Sequence, residues 1–168
     1  MKKSAGRKEV LGLVGLGLMG RAFTRNWIED GYRVIGTDPD PSARRKFRKL
    51  GGLLAKCPRE VAEQSDWVFL SLPNSKISLQ VSRGRDSLLA FEKGKSPKIV
   101  LDTTTSDPKD SRKAFELFQK KGVEFLDACI SGTSGMVAER RGLFLRSLDG
   151  RRSLSYQRSK RLACCWLR

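Results

Sequence analysis

Histidine is absent from the 168 residues of this chain. Its absence removes the Ser-His-Asp relay, the Cys-His pair, histidine metal centres and the histidine general base. Cysteine is scarce: Cys57, Cys129, Cys164 and Cys165 never fall at C-x-x-C spacing, and the last two are adjacent. That spacing argues against a zinc site or a disulfide framework and fits a reducing, cytoplasmic setting; no metal ligand set is assigned. Aromatic residues make up only 8% and are not interleaved with basic ones as in a base-stacking platform. No helix-turn-helix or zinc signature appears either, so nucleic acid is not the expected partner. No apolar stretch approaches the roughly 20 residues of a membrane span, and no membrane partner is expected.

Carboxylates are outnumbered, 18 Asp and Glu against 34 Lys and Arg, for a formal charge of +16. The excess is uneven. Residues 1–9 hold +3 and residues 146–168 hold +6, so over half of it sits at the two ends, where charge is most easily solvated. Hydrophobic content of 39% and charged content of 31% describe a globular chain with room for one domain, or one domain and a fragment.

The run VLGLVGLGLMGRAF, residues 10–23, begins after a basic start and superficially resembles an export signal. Glycine at close spacing weakens any helix there, and an amphipathic stretch follows in place of a cleavage site. A strand turning into a helix explains each glycine better. Glu9 to Val14 reads as a buried strand, and Gly15-Leu16-Gly17-Leu18-Met19-Gly20 is G-x-G-x-x-G at the turn. Gly15 permits the tight turn, Gly17 lets the backbone approach a pyrophosphate, and Gly20 lets the helix pack closely. N–H groups at the helix start then face the phosphate charge. Asp38 falls at the tip of the second strand, YRVIGTD, where a carboxylate can accept from both ribose hydroxyls. A carboxylate there also repels a 2′-phosphate, which favours NAD; Arg44 and Arg45 follow closely enough to leave NADP open.

The remaining segments alternate. PSARRKFRKL reads as a helix, GGLLA as a short strand, PREVAEQS as a helix and DWVFLSLPN as a strand. A looser helical stretch over 75–95 precedes PKIVLDTTTSDP, a strand with a hydroxyl-rich exit, the helix PKDSRKAFELFQKKG, and VEFLDACISG, a sixth strand and its loop. This is an α/β, Rossmann-type, doubly wound parallel sheet. Ligands of such sheets bind beyond the carboxyl ends of the strands. Gly15–Gly20, Asp38, Leu72–Asn74, Thr103–Ser106 and Ser131–Thr133 should therefore line one edge.

GLGLMGRAFTRNWIEDGYRV resembles the opening signature of the β-hydroxyacid dehydrogenases, the family of 3-hydroxyisobutyrate dehydrogenase and, more distantly, 6-phosphogluconate dehydrogenase. Gly15–Gly20, Asn26 and Gly31 match it, whereas Phe23 and Thr24 replace the usual Met-Ala. Leu72-Pro73-Asn74 resembles the loop against the adenosine side of the cofactor. DTTTSDP resembles D-x-S-T-x-x-P, with Thr104 replacing the serine and Thr105 matching the threonine near the nicotinamide. DACISGTSG resembles D-A-P-V-S-G-G, so Ser131 and Gly132 match residues that hold a substrate carboxylate. Thr133 stands for the second glycine of that loop and Cys129 for its proline. The resemblance implies nicotinamide-dependent oxidation of a small 3-hydroxy acid to its semialdehyde, or the reverse.

It also implies a lysine motif, G-x-G-x-x-x-K-x-x-x-N, and a helical second domain; neither occurs here, so the catalytic residue is unassigned and this chain is expected to be inactive alone. The resemblance ends near Leu145. Residues 1–145 are read as the dinucleotide-binding domain and 146–168 as a basic, divergent tail, produced by out-of-frame translation or a divergent terminus. Tyr156 and Lys160 have the Y-x-x-x-K spacing of short-chain dehydrogenases, but Leu143 occupies the upstream serine's place and the segment lacks helical periodicity. The strand begun at Gly142 should lie at a sheet edge, and the uncovered apolar surface favours a homo-oligomer. The alternative reading is a non-catalytic dinucleotide-binding or nucleic-acid-associating module.

Overall fold

The computed structural model describes residues 9–141 and the backbone of Leu143–Phe144. Six parallel strands form one sheet in the order β3-β2-β1-β4-β5-β6, the order of a doubly wound sheet with its reversal between β1 and β4. The strands are β1 (Val10–Val14), β2 (Arg33–Thr37), β3 (Leu53–Leu54), β4 (Trp67–Leu70), β5 (Ile99–Asp102) and β6 (Glu124–Asp127). Between and after them run α1 (Leu18–Glu29), α2 (Pro41–Lys49), α3 (Pro58–Gln64), α4 (Ser75–Ser82) and α5 (Pro108–Lys120).

Side-chain alternation decides which layer each strand residue serves. Leu11, Leu13, Trp67, Phe69, Ile99 and Leu101 enter one apolar cluster with Phe23 and Trp27 of α1 and Phe47 of α2. Val10, Val14, Val68, Leu70 and Val100 enter the other with Val61 of α3 and Phe118 of α5. Both faces are thus covered, which is why the central strands read as continuous apolar runs. In the first layer Trp27 is 1% exposed, stacks on Phe23 at 5.2 Å and meets Phe69 at 4.6 Å. In the second, Gly12 lets α3 come close: a Cβ there would lie 2.5 Å from Ser65 Oγ and 2.7 Å from Val61 Cγ1.

Helix starts follow local chemistry. Asp40 caps α2 by accepting from the Ser42 and Ala43 N–H groups, with Pro41 at the first turn. Asp107 and Pro108 open α5 in the same way. On both helices an Ala–Phe pair four residues apart, Ala43–Phe47 and Ala114–Phe118, is buried against the sheet.

Two expectations need correction. The helical stretch expected over 75–95 ends at Ser82: Arg83 is extended (φ −123°, ψ 148°), and Gly84 (φ 108°) and Gly94 (φ 86°) adopt a left-handed backbone that no α-helix contains. The residues beyond it form turns that nonetheless bury Leu88 completely. The strand expected from Gly142 does not join the edge of the large sheet. It is β8 (Leu143–Phe144), antiparallel to β7 (Ile130–Ser131) in a separate two-stranded ribbon. The intervening α6 (Ser134–Ala138) is only five residues long, too short for a parallel crossover, and Arg140 (φ 62°) turns the chain back along β7. The tail 146–168, with Tyr156 and Lys160, lies outside the described residues.

Candidate functional site at the carboxyl edge of the sheet

All five expected loops leave the carboxyl ends of strands or the ribbon that follows β6. At β1, Gly15 has φ 98°, and a Cβ on it would lie 2.1 Å from the Ser71 carbonyl oxygen. Glycine is required there twice over, by backbone conformation and by the closeness of the β4 exit. A Cβ on Gly20 would lie 2.3 Å from the Gly15 carbonyl oxygen, so α1 presses directly on its own entry turn. Gly17 is different: it is exposed, and a Cβ there would meet nothing within 4 Å. No side chain caps α1, whose N-cap is Gly17, whereas Asp40, Asn74 and Asp107 cap α2, α4 and α5. The first N–H groups of a helix have no intrahelical acceptor, and the space at Gly17, the N-cap of α1, is clear. Leu18 and Met19 occupy the first turn, Leu18 being 69% exposed, while Leu16 is fully buried beneath the loop.

Asp38 meets this loop. Its Oδ2 accepts the Leu16 N–H at 2.7 Å, and its Oδ1 accepts the Asp40 N–H at 2.8 Å. The carboxylate is half-buried, and a carboxylate oxygen has more than one lone pair to offer. Arg44 and Arg45 lie on α2, half-buried and exposed respectively.

The edge is continuous. Gly15 N–H donates to the Thr37 carbonyl at 3.1 Å, and Ser71 N–H to the Val14 carbonyl at 2.9 Å. The Leu72 N–H donates to Thr104 Oγ1 at 3.2 Å, which carries the line on to the β5 exit. Leu72 is half-buried and Pro73 exposed, while the Asn74 side chain accepts the Ile77 N–H at 3.1 Å and caps α4. Thr105 is exposed, with its hydroxyl 3.9 Å from Cys129 Sγ, which brings the β5 exit against the loop after β6. Ser131, Gly132 and Thr133 are all exposed; Gly132 has φ 135°, and Thr133 caps α6 by accepting the Met136 N–H at 3.2 Å. Asn74 and Thr133 thus have structural work that accounts for their identity without a ligand.

Beneath these loops lie carboxylates that sequence patterning overlooked. Asp102 and Asp127 are register partners at the ends of β5 and β6. Asp102, 3% exposed, accepts hydrogen bonds from the Ser78 hydroxyl and from the Thr104 N–H. Burial pushes its carboxyl above the usual carboxylate range; the Ser78 and Thr104 bonds oppose this, and the nearby Asp127 adds to it. Asp127 accepts from the Ser111 hydroxyl at 2.6 Å. The available signal was Ser75, Ser78 and Ser82, buried at helical spacing on α4 where an apolar stripe would ordinarily lie. A second overlooked group is Arg140. It donates to both Asp30 carboxylate oxygens, at 2.9 and 3.0 Å, and to the Asn26 carbonyl. Asn26 in turn donates to the Val137 carbonyl at 2.7 Å, so α6 and the exposed 131–133 loop are fastened to α1. The Asp30 hydrogen bonds raise the arginine above its already high value. Among the described residues no group of acidic, Cys or His side chains could hold a metal ion, and no helix is long and apolar enough to cross a membrane.

Residues 10–145 match the NAD-binding domain of 6-phosphogluconate dehydrogenase. The mitochondrial 3-hydroxyisobutyrate dehydrogenase of Rattus norvegicus is 34% identical over 133 residues, 79% of this chain and 39% of that protein. A Mycobacterium tuberculosis 3-hydroxyisobutyrate dehydrogenase solved with L-serine superposes with a TM-score of 0.81 at 24% identity, over 96% of this chain and 52% of that one. An imine reductase variant of Myxococcus stipitatus solved with NAD+ gives 0.77 at 22% identity, over 96% and 52%. The two structural likenesses bear on the fold alone, and this chain spans about two fifths of the length of the curated relative. Residues 10–145 place the chain in the family of the NAD-binding domain of 6-phosphogluconate dehydrogenase.

Proposed function

We propose that this chain is the cofactor-holding part of an oxidoreductase acting on small 3-hydroxy acids or their semialdehydes, with NAD as the preferred dinucleotide. The observation that carries this reading is the clear, uncapped α1 start at Gly17 next to the Asp38 carboxylate, which reaches the same loop at 2.7 Å. Gly15 to Gly20 would hold the pyrophosphate with backbone N–H groups and the helix dipole. Asp38 would accept from the adenosine ribose and repel a 2′-phosphate; Asp40, directly behind it, adds to that repulsion. Leu72, Pro73 and Asn74 would flank the adenosine side and Thr105 the nicotinamide. Ser131, Gly132 and Thr133 would receive the substrate carboxylate through hydroxyl and backbone N–H donors.

When bound, a nicotinamide dinucleotide supplies hydride transfer. The residues of this chain bind and orient it, and none of them forms the lysine motif that handles the proton in the resembling family. We therefore expect nucleotide binding with negligible turnover from this chain alone. Cysteine spacing supports a reducing, cytoplasmic compartment. Calorimetric titration with NAD and NADP tests the reading: saturable NAD binding, weaker for NADP, is expected. Absence of heat with either nucleotide, with the chain shown to be folded, would overturn it.

A further inference from the structure

We propose that Thr104 is a positioning residue for the dinucleotide: its buried hydroxyl clamps the β4 exit loop to β5 and so sets the spacing between Leu72–Asn74 and Thr105. The inference rests on the proposed nicotinamide-dinucleotide site, whose two ends those segments would serve. Hydrogen bonds run along the carboxyl edge from strand to strand. Backbone groups make the steps Thr37–Gly15, Val14–Ser71 and Leu70–Thr103. Side chains add a second bond at the two outer steps, Asp38 to the Leu16 N–H and Thr104 to the Leu72 N–H.

Thr104 is suited to the outer step on the β5 side. It is 2% exposed, so water does not compete for its oxygen. Its own N–H is held at 2.9 Å by Asp102 Oδ1, and Asp102 is in turn held by the Ser78 hydroxyl. Ser78 lies on α4, the helix whose N-cap is Asn74, so the clamp grips the 72–74 loop from both of its ends. Thr103 reinforces it, donating its hydroxyl to the Leu70 carbonyl at 2.6 Å and its N–H to the same oxygen at 2.9 Å. The next residue along, Thr105, is exposed on the ligand side. A shift of the Thr104 backbone would therefore move Thr105, and loss of its hydroxyl would free Leu72, although Thr104 itself touches no ligand.

The test uses the full chain carrying Thr104→Val, which keeps the shape and removes the hydroxyl, and Thr104→Ser, which restores an oxygen on a smaller side chain. Amide hydrogen exchange at Leu72 reads the clamp; calorimetric NAD titration reads the site. In the valine variant, exchange at Leu72 should quicken about tenfold while that at Val100 in mid-β5 is unchanged. NAD affinity should fall about fivefold to tenfold, the change that loss of one neutral hydrogen bond produces. Serine should return both readings to within about twofold of wild type, which a purely steric role for the threonine would not allow. Should valine prevent folding, Thr104→Ala against Thr104→Ser gives the same comparison. Unchanged Leu72 exchange overturns the clamp, whatever the nucleotide does. Faster exchange with unchanged NAD affinity overturns the positioning role alone. A wild-type chain that binds no NAD overturns the dinucleotide reading and the positioning role with it, while the exchange data still decide whether the clamp exists.

Discussion

The Asp38 carboxylate accepts the Leu16 backbone N–H at 2.7 Å, across 22 residues of chain and from one strand end to the next. The residue expected to grip a ribose also braces the glycine loop expected to hold the phosphates. Asp38→Ala should therefore weaken NAD binding by about tenfold to a hundredfold, the range for a charge-assisted hydrogen bond. The preference for NAD over NADP should shrink together with it. Parallel titrations with the two nucleotides read both effects; an unchanged ratio would remove Asp38 from the discrimination.

The three glycines of the loop should separate cleanly by what they do. Gly20→Ala places a Cβ against the Gly15 carbonyl and should cost about 3 kcal/mol of stability. Gly17→Ala meets open space and has φ −65°, so its stability should stay within about 1 kcal/mol of wild type. Its NAD affinity should nonetheless fall tenfold or more, because the methyl occupies the space proposed for the pyrophosphate. Urea denaturation and calorimetry on the two variants check this; full NAD affinity in Gly17→Ala would contradict the cradle.

Asp102 gives a pH dependence whose sign can be worked out. Burial raises its folded pKa above the unfolded value of about 3.9. Between those two values the folded chain binds more protons than the unfolded one, so this group's contribution is largest below the unfolded pKa and is lost as pH rises through the folded one. Asp102→Asn removes the ionisation and keeps an acceptor for the Thr104 N–H. The variant should gain stability relative to wild type as pH rises across that window, with the difference level above it. Denaturation midpoints from pH 4 to 7.5 measure the trend; a pH-independent difference would refute it.

Trp27 carries the stack that joins α1 to β4. Trp27→Ala should cost about 3–5 kcal/mol, because Phe23 and Phe69 cannot both collapse into the space it leaves. Thermal unfolding of the variant reads the loss.

The Arg140–Asp30 pair fastens the 131–133 loop to α1 but is partly open to solvent, with side chains 25% and 31% exposed. A double-mutant cycle with Arg140→Ala and Asp30→Ala should give a coupling of only about 1 kcal/mol. The larger effect should be faster amide exchange in α6, whose hold on α1 the pair shares with Asn26.

Much of this architecture could be read before any coordinates. The apolar runs at residues 10–14, 67–70 and 99–101 have no polar alternation, which only a strand covered on both faces tolerates. Pro41 and Pro108, each behind an aspartate, announce their helices. The end of α4 was harder to read, because Leu88 and Leu89 continue an apparently helical pattern while the backbone turns extended at Arg83 and left-handed at Gly84. The path of β8 was hidden as well: GLFL looks like any strand, and its partner depends on a turn at Arg140 that no local residue preference announces.

Chain chemistry alone settled the alternation of elements and the glycine turn between the first strand and helix, because periodicity and glycine placement act over a few neighbouring residues. Folding in three dimensions decided the rest: that Asp38 reaches back to Leu16, that Thr104 holds Leu72, that Asp102 is desolvated, and that the last described strand leaves the main sheet. Each of these depends on groups tens of residues apart arriving within about 3 Å of one another, a distance that sidedness of the crossovers and packing of the two layers set, and that no short-range pattern encodes.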